Sequence, residues 1–184
     1  FLFFGFSGTV GMAAIDIGRA LGGRIIAAAS SAAKRDAALA RGAQEVVDYT
    51  DPNWRETLRG LAPRGLDLVV DPVGGKFSET AFRHLAPGGR HLVVGFSAGD
   101  IPRLPLNLPL LKRASLVGVD WGGFAQQEPE TNAALLERLG SMLAEGRLTP
   151  RPGRMYDVDT FAEAIDDLIA RRSIGKPVVL LDDL

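Results

Sequence analysis

Phe1-Leu2-Phe3-Phe4-Gly5-Phe6-Ser7-Gly8-Thr9-Val10-Gly11 runs an apolar strand straight into a glycine turn, and the helix-forming stretch Met12 to Leu21 follows at once. Strand, glycine turn and helix in immediate succession open a dinucleotide-binding unit, because the turn lets backbone N–H groups at the helix N-terminus face a pyrophosphate. The spacing G-x-G-x-x-G falls on positions 6, 8 and 11; Gly8 and Gly11 match it, and the bulky Phe6 takes the first place. A glycine turn alone is found in many α/β proteins, so its placement between a buried strand and a helix carries the reading. Thr9 and Val10 are the expected backbone donors to the pyrophosphate.

The position about 20 residues further on contacts the adenosine ribose in such units. Here Arg24-Ile25-Ile26-Ala27-Ala28-Ala29 reads as the second strand and ends in Ser30-Ser31, with Lys34 and Arg35 close behind. No carboxylate stands where a ribose 2′-OH would be gripped. Hydroxyls and cations suit a 2′-phosphate instead, which points to NADP(H) over NAD(H). Lys34 is the better candidate of the two cations, since neighbouring residues on a helix do not share a face.

Strands and helices alternate along the rest of the chain. Residues 33–41 read as a helix ending at Gly42, and Glu45 to Asp48 as a short strand. Asp51-Pro52 reads as N-cap and first helical residue of a helix over 52–61. Leu66 to Val70 is a strand ending at Asp71-Pro72-Val73-Gly74-Gly75, followed by a helix over 76–85. Pro87-Gly88-Gly89 is a turn into a strand from His91 to Phe96, and Ser115 to Trp121 reads as a sixth strand. A loop with a short helix fills 101–112, and an amphipathic helix spans about 128–145 with Leu135, Leu136, Leu139, Met142 and Leu143 on one stripe. Thr160 to Glu163 has capping-box spacing and opens a helix with Phe161, Ala164, Ile165, Leu168 and Ile169 on its apolar face. Lys176 to Leu181 reads as a last strand. Near-continuous apolar strands alternating with helices predict a doubly wound parallel sheet, a Rossmann fold in three α/β/α layers.

The bulk numbers exclude several classes. A net charge of −1 gives no overall electrostatic ground for nucleic acid or an anionic membrane as partner. The absence of cysteine removes disulfides, a thiolate nucleophile and Cys-based zinc sites, and fits a reducing cytoplasm. With only His84 and His91, a His-rich metal site is not expected, and both read as structural. No transmembrane run or signal peptide is read, and no Ser/His/Asp set has supporting context. Residue 1 is Phe inside a strand, so the chain is expected to be a fragment lacking its N-terminal part.

Further site candidates are Asp71 and Phe96, read as the ends of the fourth and fifth strands, where ligands bind in open α/β sheets. Tyr49, after the third strand, is placed to stack on or hydrogen-bond the adenosine half. The paired carboxylates Asp166-Asp167 and Asp182-Asp183 read as solvated faces.

These stretches together resemble the coenzyme domain of the medium-chain dehydrogenase/reductase superfamily, in particular its zinc-independent, quinone-oxidoreductase-like (zeta-crystallin-like) branch. The resemblance rests on Gly8-Thr9-Val10-Gly11, Arg41-Gly42-Ala43 before Val46-Val47-Asp48-Tyr49, Asp71 to Gly75, Leu85 to Arg90, Val94-Gly95-Phe96, Pro105-Leu106-Asn107 and Gly175 to Val179, in order along nearly the whole chain. It implies NADPH as cofactor, no metal, and a small quinone, enone or enoyl substrate. It assigns Thr9 and Val10 to the pyrophosphate, Ser30, Ser31 and Lys34 to the 2′-phosphate with Tyr49 beside it, and Gly95, Phe96 and Ser97 to the nicotinamide side. It implies a coenzyme domain over residues 1–150 and, in 151–184, a helix and strand that return to a catalytic domain not contained in this chain. It also implies a homodimer through the strand 115–121, an apolar sheet edge that would otherwise be a liability. No catalytic residue is named. An enoyl reductase module of a larger synthase and a non-catalytic nucleotide-binding protein are the alternative readings.

Overall fold

The computed structural model describes residues 1–5 and 8–181, so Phe6 and the Asp182-Asp183 pair lie outside the described residues. The strands are β1 (Leu2–Phe4), β2 (Ile26–Ala28), β3 (Glu45–Val47), β4 (Leu66–Asp71), β5 (Leu85–Val93), β6 (Ser115–Gly118), β7 (Met155–Tyr156) and β8 (Val178–Val179). The helices are α1 (Thr9–Ala20), α2 (Ala32–Arg41), α3 (Trp54–Leu61), α4 (Phe77–Arg83), α5 (Asn107–Lys112), α6 (Trp121–Gln127), α7 (Pro129–Ala144) and α8 (Phe161–Ile169). Strands β1 to β6 form one parallel sheet in the order β3-β2-β1-β4-β5-β6, and β7 and β8 pair separately. This is the doubly wound order, whose direction reverses between β1 and β4.

Alternation along the strands builds the layers. Leu2 and Phe4 of β1, with Ile26 and Ala28 of β2, join a cluster with Trp54, Leu58, Phe82 and Leu108 from α3, α4 and α5. Phe3 and Ala27 face the other way, against Ile15 of α1 and Ala38 of α2. Each fully buried large side chain of this kind contributes about 1.5–3 kcal/mol relative to exposure. Gly18 lets α1 lie close on the sheet: a Cβ there would stand 2.8 Å from Ile25 Cδ1 and 3.1 Å from the Phe3 ring. On the outer side α1 and α2 are joined by the Asp16–Arg41 ion pair.

Several element boundaries differ from those predicted. Helix α3 starts at Trp54, because the Asp51 carboxylate accepts from Asn53 N–H (2.7 Å) and holds residues 51–53 in a turn. Strand β5 starts at Leu85 and ends at Val93, so Phe96 stands three residues beyond the strand. Strand β6 stops at Gly118, and the Asp120 side chain caps a separate helix, α6, by accepting from Gly123 N–H at 3.1 Å. The expected capping box at Thr160 is replaced by a reciprocal pairing of Thr160 with Asp157. The predicted apolar stripes on α7 and α8 are largely solvent-facing: Met142 and Ala164 are the buried residues of these two helices. No helix among the described residues is long and apolar enough to cross a membrane.

Candidate functional site

A cleft of about 490 Å³ opens at the carboxyl ends of the strands, over the β1/β4 reversal. Successive strand ends supply its wall: Gly5 after β1, Ser30 after β2, Tyr49 after β3, Val73 after β4, and Ser97 and Ala98 after β5. Ligands bind at this place in doubly wound sheets because the flanking loops part there. Gly8, Thr9 and Lys34 complete its floor.

Helix α1 begins at Thr9, with Gly8 as its N-cap. The N–H groups of the first helical turn have no acceptor within the helix, and the aligned peptide dipoles leave about half a positive charge there. The turn itself is closed by Gly8 N–H donating to Gly5 O at 3.0 Å. Gly8 has extended backbone (φ −80°, ψ 167°), so any residue could adopt its conformation. A Cβ on Gly8 would have as its nearest described neighbour Gly5 O at 3.5 Å, an ordinary contact. The missing side chain therefore leaves open the approach to the helix end, not room for protein packing.

At the end of β2 the two serines divide. Ser30 is exposed and lines the cleft. Ser31 is the N-cap of α2, its hydroxyl accepting from Lys34 N–H at 3.4 Å. Lys34 reaches the cleft, where its Nζ donates to Arg171 O at 3.0 Å. Arg35 turns away to Asp48 (2.7 Å) and Ala29 O, in keeping with the helical spacing. Tyr49 sits in an aromatic group, 4.6 Å from the Phe77 ring and 6.0 Å from Phe4.

Other predicted site residues stand apart from the cleft lining. Val10 points to solvent, and Gly11 is buried on the sheet side of α1. Phe96 lies over Gly74. Gly95 stands behind the wall, its N–H donating to Asp71 O at 3.3 Å. Asp71 turns inward. It is 2% exposed, and its carboxylate accepts from Val73 N–H (2.9 Å), Gly74 N–H (2.8 Å), Ser78 Oγ (2.5 Å) and His91 Nε2 (3.1 Å). Burial pushes this carboxyl up, but the hydrogen bonds from His91, the Gly74 backbone and Ser78 outweigh it and hold the group below its ordinary value. Asp71 thereby fixes the loop after β4, whose carbonyls hold the cleft wall: Pro72 O accepts from Ser97 N–H (3.1 Å) and Val73 O from Ala98 N–H (2.9 Å). Its place is behind the site, as a positioning residue.

Ser78, Asp71 and His91 form a buried polar cluster that sequence spacing does not reveal. Both Ser78 Oγ and His91 Nε2 meet the same Asp71 oxygen, Oδ2. A hydrolytic relay needs the imidazole between hydroxyl and carboxylate. Here the carboxylate is in the middle, so the arrangement is structural.

The structure adds residues from the far end of the chain. Leu168, Arg171, Ser173, Gly175 and Pro177 line the same cleft. Arg171, with left-handed backbone (φ 56°), donates through Nη2 to Ser97 O at 3.1 Å and so bridges the α8 end to the loop after β5. More than 130 positions separate Lys34 from Arg171 (137 apart). No local pattern announces this contact; the only signal is the cationic pair Arg171-Arg172 before Gly175.

A family model described as zinc-binding dehydrogenase matches residues 9–138, which cover α1 through most of α7. The chain belongs to the medium-chain dehydrogenase/reductase superfamily, in its quinone oxidoreductase-like branch. It is 35% identical over 177 residues to quinone oxidoreductase-like protein 2 of Bos taurus, covering 95% of this chain and 51% of the relative. It is 30% identical over 179 residues to the quinone oxidoreductase of Homo sapiens, covering 96% of this chain and 53% of that protein. Among solved structures, a mycobacterial protein complexed with NADPH superposes with TM-score 0.82 at 26% identity, over 97% of this chain and 55% of that one. An NAD-dependent alcohol dehydrogenase superposes with TM-score 0.82 at 31% identity, over 98% and 50%. The chain spans about half the length of the curated relatives it matches.

The family description mentions zinc. Among the described residues no group of three or more His, Cys, Asp or Glu side chains is placed to hold a metal ion. His84 is bound to Ala62 O (2.9 Å) and His91 to Asp71.

Proposed function

We propose that this chain is the coenzyme-binding domain of a zinc-independent oxidoreductase that uses NADPH and passes hydride to a quinone or enone-type substrate. The observation that carries this reading is the cleft itself: Gly8 and Thr9 at a helix N-terminus, with Ser30 and Lys34 at the end of β2 and no Asp or Glu among its lining residues. The NADPH bound to the mycobacterial neighbour and the names of the quinone oxidoreductase relatives support it.

The nicotinamide, when bound, supplies the hydride chemistry. The chain's own part is to bind and orient. The first-turn N–H groups of α1 face anionic oxygens, and Ser30 and Lys34 answer a 2′-phosphate. Lys34 now donates to a neutral carbonyl, and a phosphate oxygen is a stronger acceptor for its charge. Ser97, held from behind through Pro72 and Asp71, forms the nicotinamide wall. Leu168, Arg171, Ser173, Gly175 and Pro177 complete the site from the far side, and a catalytic domain on a longer polypeptide contributes the substrate pocket. A cytoplasmic setting belongs to the same reading.

Calorimetric titration with NADPH and, separately, NADH tests the assignment. NADPH is expected to bind tighter. Lys34→Ala should weaken NADPH about tenfold or more, the size of one lost charge-assisted contact, and leave NADH nearly unchanged. Equal loss for both cofactors sinks the 2′-phosphate role.

A homodimer through β6 is part of the proposal. β6 is the edge of the sheet, and Leu116 within it and Val119 and Trp121 just beyond it are 50%, 41% and 63% exposed. Light scattering should give a dimer mass that Leu116→Lys lowers to the monomer; a monomeric parent at high concentration counts against the interface.

A further inference from the structure

A second cavity, of about 600 Å³, lies at the opposite, amino-terminal ends of the strands, where Gly65 leads into β4 and Leu85 begins β5. Such a volume falls in the range of small-molecule sites. Its rim carries Arg55 and Arg59 of α3, Arg64 of the following loop, Arg83 and His84 at the end of α4, and Lys112 at the end of α5. No Asp or Glu lines it, and the buried Leu85 and Leu108 give it an apolar floor. The chain's net charge of −1 conceals this local surplus.

Cations near helix ends commonly do no more than offset the dipole. Helices α3, α4 and α5 all end at this cavity, and each C-terminus carries about half a negative charge, roughly 1.5 in sum. Arg83 is neutralised by Glu79 at 2.7 Å. Arg55, Arg59, Arg64 and Lys112 form no ion pair among the described residues, which leaves four positive charges against that sum. Arg55 and Arg59 are four apart on α3, so they share a face and repel each other. The field reaches His84: burial first, opposed by the hydrogen bond to Ala62 O and then aided by Lys112, Arg59 and Arg55, pushes its imidazole below the ordinary value. The imidazole instead lies 2.9 Å from Ala62 O.

We infer that this cavity binds the oligophosphate group of a small polyanion through Arg55, Arg59, Arg64 and Lys112. One anion placed among the four would relieve the Arg55–Arg59 repulsion and satisfy guanidinium forks suited to phosphate oxygens. The site is separate from the cleft at the strands' carboxyl ends, and the inference does not rest on the cofactor assignment.

The test is calorimetric titration of the chain with sodium tripolyphosphate at constant ionic strength, paired with the ligand-induced rise in Tm. One saturable site is expected. The exposed double variant Arg55→Gln/Arg59→Gln should weaken it about tenfold or more and abolish the Tm rise, while its own Tm without ligand is no lower than the parent's. Lys34→Ala should leave this binding intact. ATP competing at equal or tighter affinity identifies a nucleotide as the source of the oligophosphate; tripolyphosphate binding without ATP binding identifies inorganic polyphosphate. Neither saturable heat nor a Tm rise overturns the inference, as does binding lost in Lys34→Ala but kept in Arg55→Gln/Arg59→Gln, which would put the anion in the nucleotide cleft.

Discussion

Asp71→Ala is expected to destabilise the chain by about 3–5 kcal/mol, the cost of leaving several buried hydrogen-bond donors without their carboxylate acceptor. Four donors lose their acceptor at once: the N–H groups of Val73 and Gly74, Ser78 Oγ and His91 Nε2. His91 and Ser78 are themselves buried, so water cannot take the carboxylate's place without opening the core. In a chain of this size such a loss lowers Tm by about 6–20 °C. Thermal or urea unfolding measures it, and a loss under about 1 kcal/mol would contradict the central role of the carboxylate. Nucleotide affinity should fall in parallel, because Ser97 and Ala98 hang on the carbonyls of the loop that Asp71 fixes.

The same carboxylate gives a pH signature. Its folded value lies below the unfolded one, so its contribution to stability is fully present above the ordinary Asp range and disappears as pH falls through the lowered folded value. Stability should therefore drop below about pH 4 in the parent. Asp71→Asn, which keeps the shape and one acceptor oxygen, should start less stable and lose less over that interval. Parallel acid profiles for the two proteins would refute the assignment.

Gly8→Val is expected to separate binding from folding. The backbone there is extended, and the nearest described atom to a Cβ is Gly5 O at 3.5 Å, so stability should change by no more than about 1 kcal/mol. The branched side chain would nevertheless stand over the first turn of α1, where a pyrophosphate must approach the backbone. Forcing such an overlap costs about 1–3 kcal/mol, which is about a fivefold to 150-fold loss for NADPH and NADH alike. Calorimetry beside a thermal melt reads both quantities. Unchanged affinity would remove Gly8 from the cofactor's path.

Phe1 to Gly11 and the apolar runs at Ile25 and Leu68 carried the doubly wound sheet into view from sequence, because strand periodicity, glycine turns and helix signals are local and each is written in a few adjacent residues. The same locality made Gly8, Thr9, Ser30 and Lys34 legible, since all lie just past the ends of β1 and β2. Boundaries were less legible where side chains competed with the backbone, as Asp51 does before α3. The division of Ser30 from Ser31, one facing the cleft and one capping α2, depends on a hydroxyl direction that composition does not encode.

What the sequence by itself determined is the alternation of strands and helices that builds the parallel sheet and, through it, that a cleft opens at the carboxyl ends of the strands. Only the tertiary structure decided that Asp71 faces the core with Ser78 and His91, that Arg171 spans the chain to meet Lys34 and Ser97, and that Arg55, Arg59, Arg64 and Lys112 gather round one cavity. These are contacts between residues far apart in sequence, and their partners are chosen by how α3, α4, α5 and α8 pack on the sheet, not by any spacing along the chain.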